Sequence, residues 1–93
     1  MWARVARFEG DPAGVDERVG KLRGLLESGT LPPVLADAKF LMLVDRESGE
    51  MVGLTLFESE EAMRQGDAAM NAGAGNAGSR TAVEFYEVPL HTL

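Results

Sequence analysis

Residues 39–57 read KFLMLVDRESGEMVGLTLF, and this stretch decides the fold. Two apolar runs, 40–44 and 51–57, flank a polar segment that contains the pair Ser48-Gly49. Two strand-like runs separated by such a pair are typical of a β-hairpin with a tight turn. The stretch therefore predicts two antiparallel strands that are neighbours in one sheet.

The predicted hairpin divides its side chains into two sets. A turn at Ser48-Gly49 places Phe40 opposite Phe57, Met42 opposite Thr55, and Val44 opposite Gly53, all on one face. The alternate positions form a leucine set on the other face: Leu41, Leu43, Leu54 and Leu56. Because leucine suits packing against helices, we expect the helices to cover the leucine set.

A strand and a helix are predicted on each side of the hairpin. Before it, residues 2–9 alternate as a strand, and Asp11-Pro12 starts a helix that ends near Ser28-Gly29. After it, Ser59 caps a second helix, and residues 80–88 form the last strand. The buried stripes of the two helices are predicted to be Val15, Val19, Leu22 and Leu26, and Met63, Gly66, Met70 and Gly73 or Ala74. Residues 31–39 are predicted to be a short connection because Pro32-Pro33 cannot continue the first helix.

The order strand, helix, strand, strand, helix, strand is the split βαβ, or ferredoxin-like, arrangement. It predicts one α+β domain over residues 1–93, with a four-stranded antiparallel sheet and both helices on one face. An internal sequence similarity supports this arrangement, because residues 8–11 (FEGD) and 57–60 (FESE) each lead from a strand into a helix.

The face that the helices leave uncovered is predicted to be apolar. This internal similarity places Trp2, Arg4, Ala6 and Phe8 with Phe40, Met42, Val44 and Phe57. In the last strand Val83 and Phe85 suit packing on the helices, which leaves Glu84, Tyr86 and Val88 on the uncovered face. A chain of 93 residues should not leave so large an apolar surface in water. We therefore expect a homodimer, a dimeric α/β barrel whose cavity takes a small apolar or aromatic ligand. The residues expected to line this cavity are Trp2, Phe8, Phe40, Met42, Thr55 and Phe57.

Composition excludes several classes of function. Nine Lys and Arg against 15 Asp and Glu give a net charge of −6, which repels nucleic acid. The absence of cysteine excludes thiolate metal sites, and the single histidine, His91, excludes a multi-histidine site within one chain. No apolar run is long enough to cross a bilayer, so we expect a cytoplasmic protein with no membrane partner.

Residues 73–78 match the pattern G-x-G-x-x-G of dinucleotide-binding loops. That fingerprint needs a strand before it and a helix after it, and here the predicted order is reversed. We therefore predict an ordinary loop, and we expect neither a metal nor a cofactor.

Four segments resemble the dimeric α/β-barrel proteins of the antibiotic-biosynthesis-monooxygenase type. They are residues 3–5, 43–49, 55–61 and 83–88. Because these segments are spread from the first strand to the last, the resemblance extends over nearly the whole chain. Haem-degrading relatives of that superfamily use an asparagine in the first strand, a tryptophan at the end of the third, and a histidine in the next helix. The corresponding positions here are near Ala6, Phe57 and Asp67, and all three depart from that pattern.

Two classes of function remain open. The resemblance implies a cofactor-independent monooxygenase acting on an aromatic or quinol-like molecule, with Arg4 and Tyr86 positioning a phenol and Glu84 as the base. The alternative is a non-catalytic small-molecule-binding or structural dimer. In that alternative, Arg4 pairs with Glu84 across the strands and Tyr86 packs at the dimer interface.

Overall fold

The computed structural model describes residues 1–72 and 79–93, and over these it shows four strands in one antiparallel sheet. The elements are β1 (Trp2–Glu9), a 3₁₀ turn (Pro12–Gly14), α1 (Val15–Glu27), α2 (Pro33–Ala36), β2 (Lys39–Val44), β3 (Met51–Phe57), α3 (Glu60–Ala72) and β4 (Ser79–Glu87). The sheet order is β2-β3-β1-β4. This is the ferredoxin-like α+β fold, so the predicted fold class is confirmed. The predicted glycine-rich loop, residues 73–78, lies outside the described residues.

The hairpin between β2 and β3 has a longer loop than predicted. Phe40 lies opposite Thr55 and Val44 opposite Met51, so the predicted register is wrong by two residues. Asp45 causes the difference: its Oδ1 accepts hydrogen bonds from the backbone N–H groups of Glu47 at 2.9 Å and Ser48 at 3.4 Å. These bonds close a loop over residues 46–49. Because the shift is an even number, every side chain keeps its predicted set.

The helices cover the opposite face of the sheet from the one predicted. The helix face carries Trp2, Arg4, Ala6 and Phe8 of β1 together with Phe40, Met42, Val44, Met51, Gly53, Thr55, Phe57, Val83 and Phe85. The open face carries Ala3, Val5 and Arg7 with Lys39, the leucine set, Val52, Ala82, Glu84 and Tyr86. The predicted groupings of β1, β2 and β3 are therefore confirmed, but the prediction that their aromatic group is uncovered and their leucine set covered is wrong. In β4, Val83 and Phe85 face the helices and Glu84 and Tyr86 face away as predicted, so the prediction that Glu84 and Tyr86 share a face with Arg4 is wrong.

Three contacts decide which face the helices cover. Gly66 of α3 lies against the ring of Phe57, Arg4 reaches Asp67 of α3, and Nε of Arg18 in α1 donates to Sδ of Met51 at 3.3 Å. A gap at a glycine accommodates a ring, and a buried guanidinium needs a carboxylate. Both β2 and β3 are apolar on both faces, so hydrophobicity alone does not distinguish the two arrangements.

Both predicted capping side chains accept a backbone hydrogen bond. Asp11 Oδ1 accepts from Ala13 N at 2.9 Å and caps the 3₁₀ turn that leads into α1, whereas α1 itself begins at Val15 without a side-chain cap. Ser59 Oγ accepts from Ala62 N at 3.1 Å at the start of α3. Val15 and Met63 are buried as predicted, whereas Leu26 at the end of α1 is 47% exposed. Helix α2 was not predicted; Pro33 occupies its first position, where the missing N–H costs nothing.

Arg18 joins three segments at the hairpin end of the sheet. Its guanidinium donates to the carbonyl oxygens of Asp11 at 3.1 Å and Gly49 at 3.2 Å, in addition to Met51. Gly49 has a φ of 80°, and a Cβ there would meet the carbonyl oxygen of Gly10. The hairpin loop is therefore packed directly on the turn that follows β1.

Within residues 1–72 and 79–93, no helix combines the length and apolar character needed to cross a membrane.

Candidate functional site

A cleft opens between α3 and the end of the sheet where β1 begins. Its volume is about 310 Å³, and it is lined by Trp2, Glu60, Met63, Arg64, Asp67 and Phe85. Trp2 and Phe85 come from the helix face of neighbouring strands, and the other four residues follow one side of α3 at helical spacing. Apolar walls with a few polar groups are typical of small-molecule sites.

Asp67 lines this cleft and forms an ion pair with Arg4, which is buried below it in the sheet. Nε of Arg4 donates to Oδ1 of Asp67 at 2.8 Å, and the Arg4 side chain is only 5% exposed against 25% for Asp67. Oδ2 of Asp67 accepts from Nδ2 of Asn71 at 3.3 Å. The carboxylate is therefore fixed in orientation and retains contact with the cleft.

The remaining donors of Arg4 point away from the cleft, along α3. Nη1 donates to Sδ of Met70 at 3.0 Å, and Nη2 donates to Oδ1 of Asn71 at 3.5 Å. The same oxygen of Asn71 accepts from Nη1 of Arg80 at 2.7 Å. Each of the three guanidinium nitrogens of Arg4 therefore donates to an acceptor within the protein, and Arg4 contacts the cleft through Asp67.

The rim of the cleft carries a second ion pair, Arg64 with Glu60, one turn apart on α3. Both side chains are substantially exposed, so the pair contributes little to stability. With Arg4 and Asp67, the cleft has two cations and two carboxylates, and its charges balance.

The structure does not bring together the three residues predicted to be catalytic. Arg4 lies on the helix face, whereas Glu84 and Tyr86 lie on the open face. The predicted pairing of Arg4 with Glu84 is wrong, because the intervening sheet separates them. Arg7 makes that contact instead: its Nε donates to Oε1 of Glu84 at 2.7 Å, and the hydroxyl of Tyr86 donates to Oε2 at 2.8 Å.

The three groups on the open face shift one another's pKa values. The hydrogen bond from Arg7, followed by that from Tyr86, lowers the pKa of Glu84. The hydrogen bond to Glu84 raises the pKa of Tyr86, and the same carboxylate raises the pKa of Arg7, with smaller contributions from Tyr86 and Glu50. The ionised pair Arg7–Glu84 and the neutral phenol are therefore the favoured forms.

Of the residues predicted to line a cavity, the structure places Trp2 on the described cleft. Phe8, Phe40, Met42 and Thr55 lie elsewhere on the helix face, and Phe57 lies under Gly66. Sequence reasoning missed Asp67 and Phe85 as partners of Trp2. The spacing of Glu60, Met63, Arg64 and Asp67 on one side of the second helix was the available signal.

The described residues do not fit a metal or haem site. Within residues 1–72 and 79–93, no three His, Asp or Glu side chains are grouped to hold a metal ion. Asp67, at the position expected for the haem-ligating histidine, is engaged by Arg4 instead.

Comparison with known proteins supports the fold alone. No protein-family model matches the chain, and no curated protein sequence matches it. The solved structure of Rv0793 from Mycobacterium tuberculosis is similar, with a TM-score of 0.51 and 21% sequence identity over 98% of this chain and 96% of that one. The whole domain, rather than a fragment of it, therefore has a counterpart of known structure.

Proposed function

We propose that the cleft between α3 and β1 binds a small aromatic phenol or quinol, and that the protein oxygenates this molecule without a cofactor. One observation carries the proposal: the aromatic walls Trp2 and Phe85 share a cleft with Asp67, a carboxylate oriented by a buried arginine. Aromatic walls suit a flat ring, and an oriented carboxylate suits the removal of its proton.

The size of the cleft fits a small ligand. Its volume of about 310 Å³ lies at the lower end of the range of about 300–1,000 Å³ that is usual for small-molecule sites. In this proposal the ring of the ligand lies against Trp2 and Phe85, with its hydroxyl directed at Asp67. The balanced charges of the cleft favour a ligand that enters neutral.

The proposed reaction starts with proton transfer from the phenol hydroxyl to Asp67. The phenolate then transfers one electron to O₂, and the two radicals recombine so that a ring carbon bonds to oxygen. The proton on that carbon leaves as the O–O bond breaks, and the departing oxygen takes this proton and the one held by Asp67, which gives a quinone, water and the regenerated carboxylate. Phenol and O₂ are thus converted to quinone and water with no further oxidant or reductant.

In this proposal, Arg4 is a positioning residue, because its guanidinium acts on the substrate only through Asp67. Glu84 and Tyr86 lie on the other face of the sheet. They would belong to a second candidate site, the space between the open faces of two copies.

The proposed assembly is a homodimer formed through the open face. Leu41 is 41% exposed, Leu43 50% and Tyr86 48%, and large apolar side chains grouped on one sheet face are typical of an interface. Leu43→Asp tests this assembly, because Leu43 is exposed in the protomer and its replacement leaves the core intact. We expect sedimentation equilibrium to give a dimer for the unmodified chain and a folded monomer for Leu43→Asp.

The chain contains a single tryptophan, Trp2, whose fluorescence reports directly on the cleft. We expect hydroquinone, catechol or a naphthol to quench it with saturation, and we expect an oxygen electrode to record uptake with at least one of them. Asp67→Asn should retain quenching and lose uptake, because the amide still accepts from Arg4 but does not remove a proton. Asp16→Asn, which changes an exposed carboxylate on α1, is the matched control.

The outcomes separate the two classes of function. Quenching without oxygen uptake would favour the alternative, a non-catalytic binding protein. Neither quenching nor uptake with the whole panel would contradict the proposed use of the cleft. Unchanged uptake in Asp67→Asn would remove that residue from the mechanism.

A further inference from the structure

The open face is arranged as three rows that run across the four strands. The rows, from β2 to β4, are Lys39–Leu56–Ala3–Tyr86, Leu41–Leu54–Val5–Glu84 and Leu43–Val52–Arg7–Ala82. The side that belongs to β2 and β3 is apolar except for Lys39, and the side that belongs to β1 and β4 holds the Arg7–Glu84–Tyr86 network. The face is therefore asymmetric from side to side.

The open face is also asymmetric along the strands. Lys39 stands at the end of the first row, and Asp45, Glu50 and Glu9 follow the third row at the other end. Oδ1 of Asp45 is engaged by the backbone of the hairpin loop, which leaves Glu50 as the available carboxylate next to β2. Glu50 contributes to the raised pKa of Arg7, which agrees with its placement beside the third row. Within residues 1–72 and 79–93, neither Lys39 nor Glu50 has an ion-pair partner.

These two asymmetries distinguish the ways in which a second copy can cover the face. A two-fold axis along the strands would place the apolar side of one copy over the charged network of the other, and the acidic ends together. A two-fold axis across the strands places leucine over leucine, network over network, and Lys39 over the acidic end. Apolar matching and opposite charges both favour the second arrangement.

We propose that two copies of this chain stack through their open faces with their strands antiparallel, and that Lys39 of each copy pairs with Glu50 of the other. This inference rests on the proposed homodimer and specifies its geometry. The Arg7–Glu84–Tyr86 networks then face each other. Because each network neutralises its own charges, it needs no counterion from the partner.

A charge-swap cycle tests this arrangement, because Lys39 and Glu50 cannot interact within one chain. They lie at opposite ends of the hairpin, about 20 Å apart at roughly 3.3 Å per residue, beyond the screening length of about 8 Å at physiological salt. Any coupling between them in the dimer must therefore act between copies. Both side chains are exposed, so the variants should fold like the unmodified chain.

We expect Lys39→Glu and Glu50→Lys each to raise the dimer dissociation constant by about tenfold, since each creates two like-charge contacts per dimer. The double variant should return to within about threefold of the unmodified value. The effect should weaken as salt is added. Lys21→Glu on α1, which changes a cation outside the open face, should leave the dissociation constant unchanged.

The outcomes distinguish the two levels of the proposal. A monomer for the unmodified chain contradicts the homodimer and its geometry together. A dimer in which the single variants have no effect, or in which the double variant is weaker than both, contradicts the antiparallel geometry alone.

Cysteine cross-linking gives an independent readout, because the chain has no native cysteine. In the antiparallel arrangement, Lys39→Cys/Glu50→Cys should be joined between copies by a short bifunctional maleimide. Lys39→Cys/Tyr86→Cys, which the other axis would bring together, should remain uncross-linked, and the reverse pattern would overturn the proposal.

Discussion

Arg4 on the first strand and Asp67 on the third helix form an ion pair at 2.8 Å across a sequence separation of 63 residues. The arginine is buried and the aspartate is partly exposed, so the two partners are not equivalent. Removal of the carboxylate leaves a cation without access to water. Removal of the arginine leaves a carboxylate that still reaches the cleft.

This asymmetry predicts unequal losses of stability. We expect Asp67→Ala to lower the free energy of unfolding by about 3–5 kcal/mol, the usual range when one partner of a buried pair is lost. Arg4→Met should cost less, because Asp67 can be solvated and the methionine fills part of the space. Urea unfolding of both variants and of Arg4→Met/Asp67→Leu measures the difference. Equal losses for the single variants would contradict the stated burial.

Gly66 predicts a second stability effect, because a Cβ at this position would overlap the ring of Phe57. We expect Gly66→Ala to lower the free energy of unfolding by about 1–3 kcal/mol, as is usual for overpacking in a core. Gly24→Ala on α1 is the control: no atom lies within 4 Å of the added group, and alanine favours the helix. A loss of stability in both variants would point to a general effect on helices rather than to the ring.

The hairpin loop allows backbone strain to be separated from overlap. Gly49 and Gly29 both have positive φ, at 80° and 72°, but only Gly49 is in tight contact, with the backbone at Gly10 and Asp11. Gly29→Ala should therefore lower the melting temperature slightly, through conformational strain of about 1 kcal/mol. Gly49→Ala should lower it considerably more. Similar melting temperatures for the two variants would show that the contact at the hairpin is looser than described.

Tyr86 is the only tyrosine, so ultraviolet absorbance of tyrosinate follows its titration without interference. The hydrogen bond to Glu84 raises its pKa, and we expect Glu84→Gln to move the titration to lower pH. Glu50→Gln, which removes a carboxylate that does not contact the phenol, should leave it nearly unchanged. An unshifted titration in Glu84→Gln would contradict the contact on the open face.

The signs of the pH effects on stability follow from the same network. Glu84 has a lowered pKa in the folded state, so its contribution is present above the ordinary carboxyl value and is lost as the pH falls through the lowered value. Tyr86 has a raised pKa, so its contribution is present below the ordinary phenol value and is lost as the pH rises through the raised value. Both side chains are exposed, and both effects should be small.

The sequence was sufficient for the order of elements, because each helix start and strand end has a local cause. Asp11 and Ser59 cap as expected, and the alternation in residues 2–9 matches β1. The choice of face was not accessible in this way, because it depends on contacts between distant residues. The contacts of Arg4 with Asp67 and of the Phe57 ring with Gly66 form only when the helices pack on the sheet.

The candidate site was predictable only in part for the same reason. The sequence predicts Trp2 as a cavity residue and Arg4 as a candidate catalytic residue of the first strand. It predicts the carboxylate partner of Arg4 on the last strand, and the structure places that partner on α3 instead. Helical spacing groups Asp67 with Glu60, Met63 and Arg64, but it does not by itself distinguish a solvated acid from one that faces a ligand.

Arg18 and Gly49 hold the hairpin end of the sheet together by contacts that differ from those at the opposite end. At the hairpin end, one guanidinium holds α1, the loop and the turn after β1 together. The cleft lies at the other end, where only two residues separate the end of β3 from the start of α3, so the chain itself ties the first turn of α3 to the sheet. The hairpin end depends instead on the contacts of one side chain. Because local opening follows the least-bonded part of a fold, loss of the Arg18 side chain should loosen the hairpin end and leave the cleft end in place.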